Sequence, residues 1–246
     1  MSVDKQPQGM GMQLTESGLP ASVQYLAGVD QLFIKQKIEM LEVLTGFETR
    51  NRYAVLNKEM QQVFFVQEES SLCERCFCPM NRGFNLHMTD NNTQEIVRMS
   101  RDFKCCMGCC WCGGGCCQMV INVESPVGRL IGRIKTGNSK WKPHIQICDA
   151  ADNHMFTAWG PCCPCQAVCC PEDIDFPITD PGLTQRVGNV AKVWRGCCPE
   201  SFTDADQFRV TFPMDMTVEC KMLMVAATFL IEFYVFEQQK KNNNSG

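Results

Sequence analysis

The chain has 246 residues, 45% of them hydrophobic, enough to bury a sizeable core. Its formal net charge of −4 gives no bulk attraction to nucleic acid, so nucleic-acid binding is not expected. The start lacks a basic stretch followed by an apolar one, so no cleaved secretory signal is expected; in a reducing compartment the 19 cysteines, many in adjacent pairs, are not expected to form a disulfide framework.

Residues 1–18 are polar and aperiodic and read as a disordered tail. Ser2 stands where N-myristoylation needs glycine, and the final KKNNNSG carries no prenylation box. Next, LFIKQKIEML (Leu32–Leu41) fits both strand alternation and helical spacing, and TGFETRNRYAVLN reads as a turn followed by a strand. Short β-like runs then recur: Gln62–Gln67, Phe84–Thr89, Glu95–Met99, Gln118–Glu124, Leu130–Thr136, His144–Cys148, Asn153–Trp159, Asp173–Ile178, Val187–Trp194 and Phe208–Phe212. Turn residues such as NRG, DNN, SPVG, DAADN and TDPG separate them, which predicts an all-β sandwich or barrel. No sequence repeat and no strand–helix alternation is present.

Thr217–Glu237 (TVECKMLMVAATFLIEFYVFE) breaks this pattern. Its longest unbroken apolar stretch, Met222–Ile231, has ten residues, and continuing to Phe236 gives fifteen with Glu232 inside. A membrane span needs about 20 predominantly apolar residues, so a core helix fits at least as well as a span. A helix apolar on every side needs an apolar sleeve, which a closed β barrel supplies. Glu219, Lys221 and Glu232 oppose spanning, at about 2.5–3.5 kcal/mol for each charge near a helix centre.

KCCMGCCWCGGGCC, residues 104–117, holds seven cysteines: Cys105, Cys106, Cys109, Cys110, Cys112, Cys116 and Cys117. C-x-x-C spacing at Cys73–Cys76, Cys106–Cys109, Cys109–Cys112 and Cys162–Cys165 is compatible with zinc or an iron–sulfur site, although crowding alone produces such spacings. His87, His144 and His154 lie in strand-like runs rather than at knuckle spacing, and lone Cys148 and Cys220 read as small apolar side chains. Fatty acylation suits the run better. Gly108 and Gly113–Gly115 keep it flexible, Met107 and Trp111 suit a membrane interface, and several acyl chains together anchor stably.

QLFIKQKIEMLEVLTGFETRNRYAV, CCMGCCWCGGGCC and ESFTDADQFRVTFPMDMTVECKMLMVAATFLIEFYVFE, in this order, resemble the phospholipid scramblase family. The resemblance implies an all-β fold with one helix: a closed antiparallel tubby-like β barrel around a buried hydrophobic C-terminal helix. It places the domain at 19–238, with polar tails at 1–18 and 239–246. It implies calcium-triggered, ATP-independent, bidirectional phospholipid movement between leaflets, with no covalent chemistry and hence no enzyme. Palmitoylation is implied at Cys105, Cys106, Cys109, Cys110 and Cys112, holding the chain on the cytosolic face of the plasma membrane against anionic phospholipids. The implied Ca2+ segment is Asp204–Asp215, with Asp204, Asp206 and Asp215 at its first, third and twelfth positions. Arg209 stands where an EF-hand loop needs glycine, and Phe208, Val210 and Phe212 alternate as a strand would, so a strand following a TDAD turn competes with the calcium reading. With only Pro7 and Pro20 before the domain, SH3 and WW partners are not expected. VGNVAKVWRG aligns with a nuclear-import stretch of some members, but its few charges suit a barrel strand better. The alternative function is a membrane-anchored adaptor or lipid-sensing module that transports nothing.

Overall fold

The computed structural model describes residues 19–37, 50–78, 81–104, 115–139, 141–162, 164, 172–194 and 206–237. Within them the strands are β1 (Gln31–Lys37), β2 (Arg52–Leu56), β3 (Gln62–Glu69), β4 (Phe84–Asp90), β5 (Glu95–Arg101), β6 (Val120–Glu124), β7 (Leu130–Thr136), β8 (His144–Asp149), β9 (His154–Trp159), β10 (Ile174–Thr179), β11 (Arg186–Lys192) and β12 (Gln207–Thr211). Each pairs antiparallel with its neighbours in sequence, and β1 closes the barrel against β12, with Leu32 opposite Val210 and Ile34 opposite Phe208. The ambiguous Leu32–Leu41 segment is thus a strand over its described part. A strand turns Leu32 and Ile34 inward together and leaves Phe33 and Lys35 outside.

The same alternation runs round the barrel. Phe84, Leu86 and Met88 are buried on β4, with Asn85, His87 and Thr89 between them. The outer wall carries polar side chains such as Gln67, His87, Arg98, Arg133, Gln146 and Arg209, while the interior is apolar. This polarity is the inverse of a membrane-spanning β barrel, which is apolar outside and polar within.

The interior is filled by a helix. A short helix, α1 (Leu72–Phe77), lies between β3 and β4; the central helix, α2 (Val218–Ile231), follows β12 and continues as a wider π-helical turn over Glu232–Phe236. Thr217 caps α2, its hydroxyl accepting from the Cys220 amide at 3.4 Å. Every residue from Lys221 to Phe236 is buried. Tyr53 meets Phe229 edge-on at 5.1 Å, Phe84 lies 4.5 Å from Phe233, and Phe176 stands edge-on to Phe236 at 6.0 Å. On β7 there is no room for a side chain at Gly132: a Cβ there would lie 2.3 Å from the Cys148 carbonyl oxygen and 2.9 Å from Leu223 of the helix. A 3-10 turn, Ala21–Gly28, places Leu19, Val23 and Leu26 in the core beside the start of α2.

The two ends of the barrel are built differently. At the end where α2 begins, five hairpins share one backbone device. The first residue of each turn (Asn57, Asp90, Ser125, Asp149, Asp180) accepts the amide of the residue three positions on, which has positive φ: Met60, Thr93, Gly128, Asp152 and Leu183. The first residue's side-chain oxygen also takes the amide four positions on, at 2.6–3.2 Å across Gln61, Gln94, Arg129, Asn153 and Thr184 with its neighbour Gln185. The strand register shifts beside each turn. This is a type I turn closed by a left-handed bulge residue. A structural repeat therefore exists where the sequence showed none, because several polar residues can open the turn and only Gly128 marks the left-handed position with glycine.

Two substitutions test this packing. Leu183→Gly is expected to raise stability by about 0.5–1 kcal/mol in urea denaturation, since an exposed side chain leaves a left-handed position. Gly132→Ala is expected to lower it by about 1–3 kcal/mol, because the strand or the helix must move.

Candidate functional site: the cysteine-bearing end of the barrel

At the opposite end, where α2 finishes, the strands are joined through residues 38–51, 70–83, 102–119, 137–143, 160–173 and 193–206. Four of these connections hold 17 of the 19 cysteines; the other two are Cys148 on β8 and Cys220 on α2. Cys105, Cys106, Cys109, Cys110 and Cys112 lie outside the described residues, as does Asp204. Of the described thiols here, Cys73 and Cys162 are exposed, and Cys78 and Cys117 are half-buried. Cys148 is buried as a small apolar side chain would be, and burial pushes its thiol pKa up. Among the described residues no group of three or more His, Cys, Asp or Glu side chains is placed to hold a metal.

This end is sealed by a buried ionic cluster. Glu68 occupies an inward position of β3, two residues beyond Val66, where alternation calls for an apolar side chain. Its carboxylate accepts from Arg82 Nε at 2.8 Å and Nη2 at 3.1 Å, from Ser70 Oγ at 2.6 Å and from Asn51 Nδ2 at 2.7 Å. Arg82 reaches Glu237, just past the helical turn, through Nη1 at 2.7 Å, and its guanidinium lies 5.2 Å from the Phe233 ring. Arg101 donates to the Arg82 carbonyl at 2.6 and 3.1 Å and lies over Phe84 at 4.5 Å. Burial works against the Glu68 carboxylate, but Arg82, Ser70 and Asn51 outweigh it and hold the pKa below the usual glutamate value. Arg82 is held above its ordinary value by Glu237 and Glu68 against the cost of burial. Burial and the neighbouring Arg82 charge push Arg101 down to about 10.

Asp206 belongs to the same end. Its carboxylate pairs with Lys192 at 2.9 Å, and the Lys192 ammonium lies 4.1 Å from the Phe236 ring. Its carbonyl accepts the Gln36 amide at 2.9 Å. Asp215 is exposed in the turn that leads from β12 into α2, at the other end of the barrel. The span from Asp206 along β12 to Phe212 is on the order of 20 Å at strand rise, so the structure separates the two carboxylates rather than gathering them. Phe208, Val210 and Phe212 do alternate as a strand. Lys192, in the stretch aligned with nuclear import, ends barrel strand β11 and is occupied by Asp206 and Phe236.

At the start of α2, Lys221 is fully buried and donates to four carbonyls: Leu26 at 3.0 Å, Ala27 at 3.2 Å, Val29 at 2.7 Å and Met214 at 3.0 Å. Burial lowers its pKa, and the fields of Asp30 and Asp215 oppose that shift. The helix is thus pinned by charge at both ends. Among the described residues no helix is long and apolar enough to cross a membrane.

These features define a class: a polar-walled β barrel filled by its own apolar helix, with its cysteine-bearing connections gathered at one end. The family model described as Scramblase matches residues 10–238, and the chain belongs to that family. It is similar to phospholipid scramblase 1 of Homo sapiens, 38% identical over 218 residues, which cover 89% of this chain and 66% of that protein. Phospholipid scramblase 2 of Bos taurus is 35% identical, with 90% of this chain and 73% of the relative covered. For phospholipid scramblase family member 5 of Homo sapiens the figures are 32%, 89% and 78%. The chain spans just under two thirds of the length of the first of these. No solved structure matches it.

Neither Glu68–Arg82–Glu237 nor the Lys221 contacts follow from the motifs, although a carboxylate at an inward strand position is a readable signal. Glu68 stabilises the fold above the ordinary glutamate pKa of 4.5, and that contribution is lost as pH falls through its lower folded value. Glu68→Gln is expected to remove this acid-labile component and to cost roughly 3 kcal/mol at neutral pH, read as thermal unfolding across a pH series.

Proposed function

We propose that the chain moves phospholipids between the two leaflets of a membrane without ATP, triggered by calcium and held on the cytosolic face of the plasma membrane by acyl chains on Cys105, Cys106, Cys109, Cys110 and Cys112. The observation that carries this reading is the match to the Scramblase family along 10–238, joined to relatives named phospholipid scramblases. The filled barrel constrains the mechanism. No headgroup can pass through an interior occupied by Met222, Phe229 and Phe233, so lipid must cross outside the barrel, where protein meets bilayer. Taking a polar headgroup through hydrocarbon without partners costs several kcal/mol, and a scrambling protein lowers that barrier by thinning or disturbing the bilayer beside it. Several acyl chains in thirteen positions, together with anionic lipid drawn to the same place, would concentrate that disturbance.

Calcium is the proposed cofactor, acting on Asp204, Asp206 and Asp215 as separate contributors rather than as one loop. Asp215 is exposed at the hairpin end and open to an ion from solution. An ion at Asp206 must first displace Lys192. The same filled interior favours a second reading, an anchored adaptor of this fold that transports nothing.

Reconstitution decides between them. Acylated protein in liposomes containing nitrobenzoxadiazole-labelled lipid is expected to expose the inner-leaflet pool to dithionite when calcium is present and not when it is chelated. Asp215→Asn is expected to weaken the calcium response. Loss no faster than in empty liposomes, with verified acylation and insertion, would leave the adaptor.

A further inference from the structure

We propose that the protein meets a lipid bilayer end-on, through the cysteine-bearing end, with Phe77, Trp141 and Phe103 entering the headgroup region. This inference rests on the membrane-acting reading above and assigns it a surface.

Three connections at this end each hold out one aromatic side chain: Phe77 is 83% exposed, Trp141 77% and Phe103 43%. A large aromatic ring held in water is unfavourable, and rings combining apolar area with an interfacial preference are what membrane boundaries select. Hydrogen bonds and a ring stack hold described residues beside two of these rings. Arg75 donates to the Ser70 carbonyl at 2.7 Å and Glu74 accepts the Gly83 amide at 2.7 Å, so the middle of α1 is tied to the chain before and after it while Phe77 projects. Beside Trp141, the Gly137 amide donates to the His144 carbonyl at 2.7 Å, and His144 stacks on Trp159 at 4.0 Å. The rings come from separate connections rather than from one groove, which suits a fluid surface better than a peptide.

Their surroundings point to lipid. Trp141 stands between Lys140 and Lys142 in sequence, Phe103 lies between Asp102 and Lys104, and Phe77 lies between Cys76 and Cys78; Lys104 also donates to the Gln118 carbonyl, and Lys142 lies over Trp159. Lysines beside interfacial aromatics favour anionic headgroups. The exposed thiols Cys73 and Cys162 lie on connections of the same end. The hairpin end also exposes apolar side chains (Met60, Val127, Leu183, Met214), but of another kind. They are aliphatic or thioether groups; Met60 follows Glu59, Met214 precedes Asp215, and Leu183 sits in the Asp180 turn. Asp90 and Asp149 open two more of those turns, so carboxylates recur along this end, with Lys58, Arg129 and Arg186 among them. Tyr25 at that end is already engaged edge-on with Phe64.

The full chain made in bacteria, and so without acyl groups, is sedimented with vesicles of phosphatidylcholine and phosphatidylserine. Phe77→Ser/Trp141→Ser is expected to weaken apparent vesicle affinity at least tenfold, while Val127→Ser/Met214→Ser stays within twofold of wild type. Thermal unfolding of both variants matches wild type, and tryptophan emission of the wild type is quenched by brominated phospholipid, less so in Trp141→Phe. Wild-type binding by the Phe77/Trp141 variant, a loss confined to the Val127/Met214 variant, or wild-type protein that ignores vesicles would overturn the inference. Vesicle docking through these rings, with no dithionite-accessible scrambling by the acylated, inserted protein, would sink transport and leave the docking surface standing.

Discussion

An apolar helix with no polar face has to be kept from water on every side, and the rest of this structure follows from that requirement. The helix from Lys221 to Phe236 has no solvent-facing stripe, so neither a single sheet nor one packed layer can cover it. A closed barrel can, because alternation along every strand turns one side chain in two toward the axis. Fit is fine enough that Gly132 must lack a side chain where β7 passes Leu223. Two of the charges at its ends are met by specific partners, Lys221 by four carbonyls and Glu237, just beyond Phe236, by Arg82. Without those contacts, Lys221 would be an uncompensated buried charge, one of the more costly defects available to a protein interior.

The sleeve also divides the molecule's labour. Its hairpin end spends few residues on each crossing and repeats one turn geometry. Its other end carries longer connections, most of the cysteines and the most exposed rings. Strand polarity forces this segregation. In an antiparallel meander, every second connection returns to the same end, so lengthening alternate connections builds one elaborated face without touching the other. A protein that acts at a surface needs one such face, and an up-and-down barrel provides it with no change to the core.

Most of the fold was legible in the sequence. Short alternating runs between turn residues mark ten strands to within a few residues, and the strength of Met222–Phe236 as an all-round apolar segment identifies both the helix and the need for a sleeve. Leu32–Leu41 was not decidable alone, because a ten-residue window with Ile34, Ile38 and Leu41 satisfies both periods; only the pairing of Ile34 with Phe208 and Val55 fixes it. The short α1 and the 3-10 turn at Ala21–Gly28 went unread, since neither is long enough to show a period. The candidate site was less legible. Spacing in TDADQFRVTFPMD places three carboxylates in a list but says nothing of strand length, and β12 is what carries Asp206 and Asp215 to opposite ends. Apart from nearby Ser70, the partners of Glu68 come from Asn51, Arg82 and, through Arg82, Glu237, separations no local pattern encodes.

The position of the helix in chain order constrains how the protein is made. All twelve strands precede the segment that fills them, and the strands that close the cylinder, β1 and β12, are joined across almost the full domain. A ribosome therefore releases the wall before the plug, and until Phe236 clears the exit tunnel the inward faces of Phe84, Ile121, Ile134 and Phe176 have nothing to pack against. The core therefore cannot be completed until the last helix has been made, and the inward faces of the strands wait uncovered for the final segment of the domain.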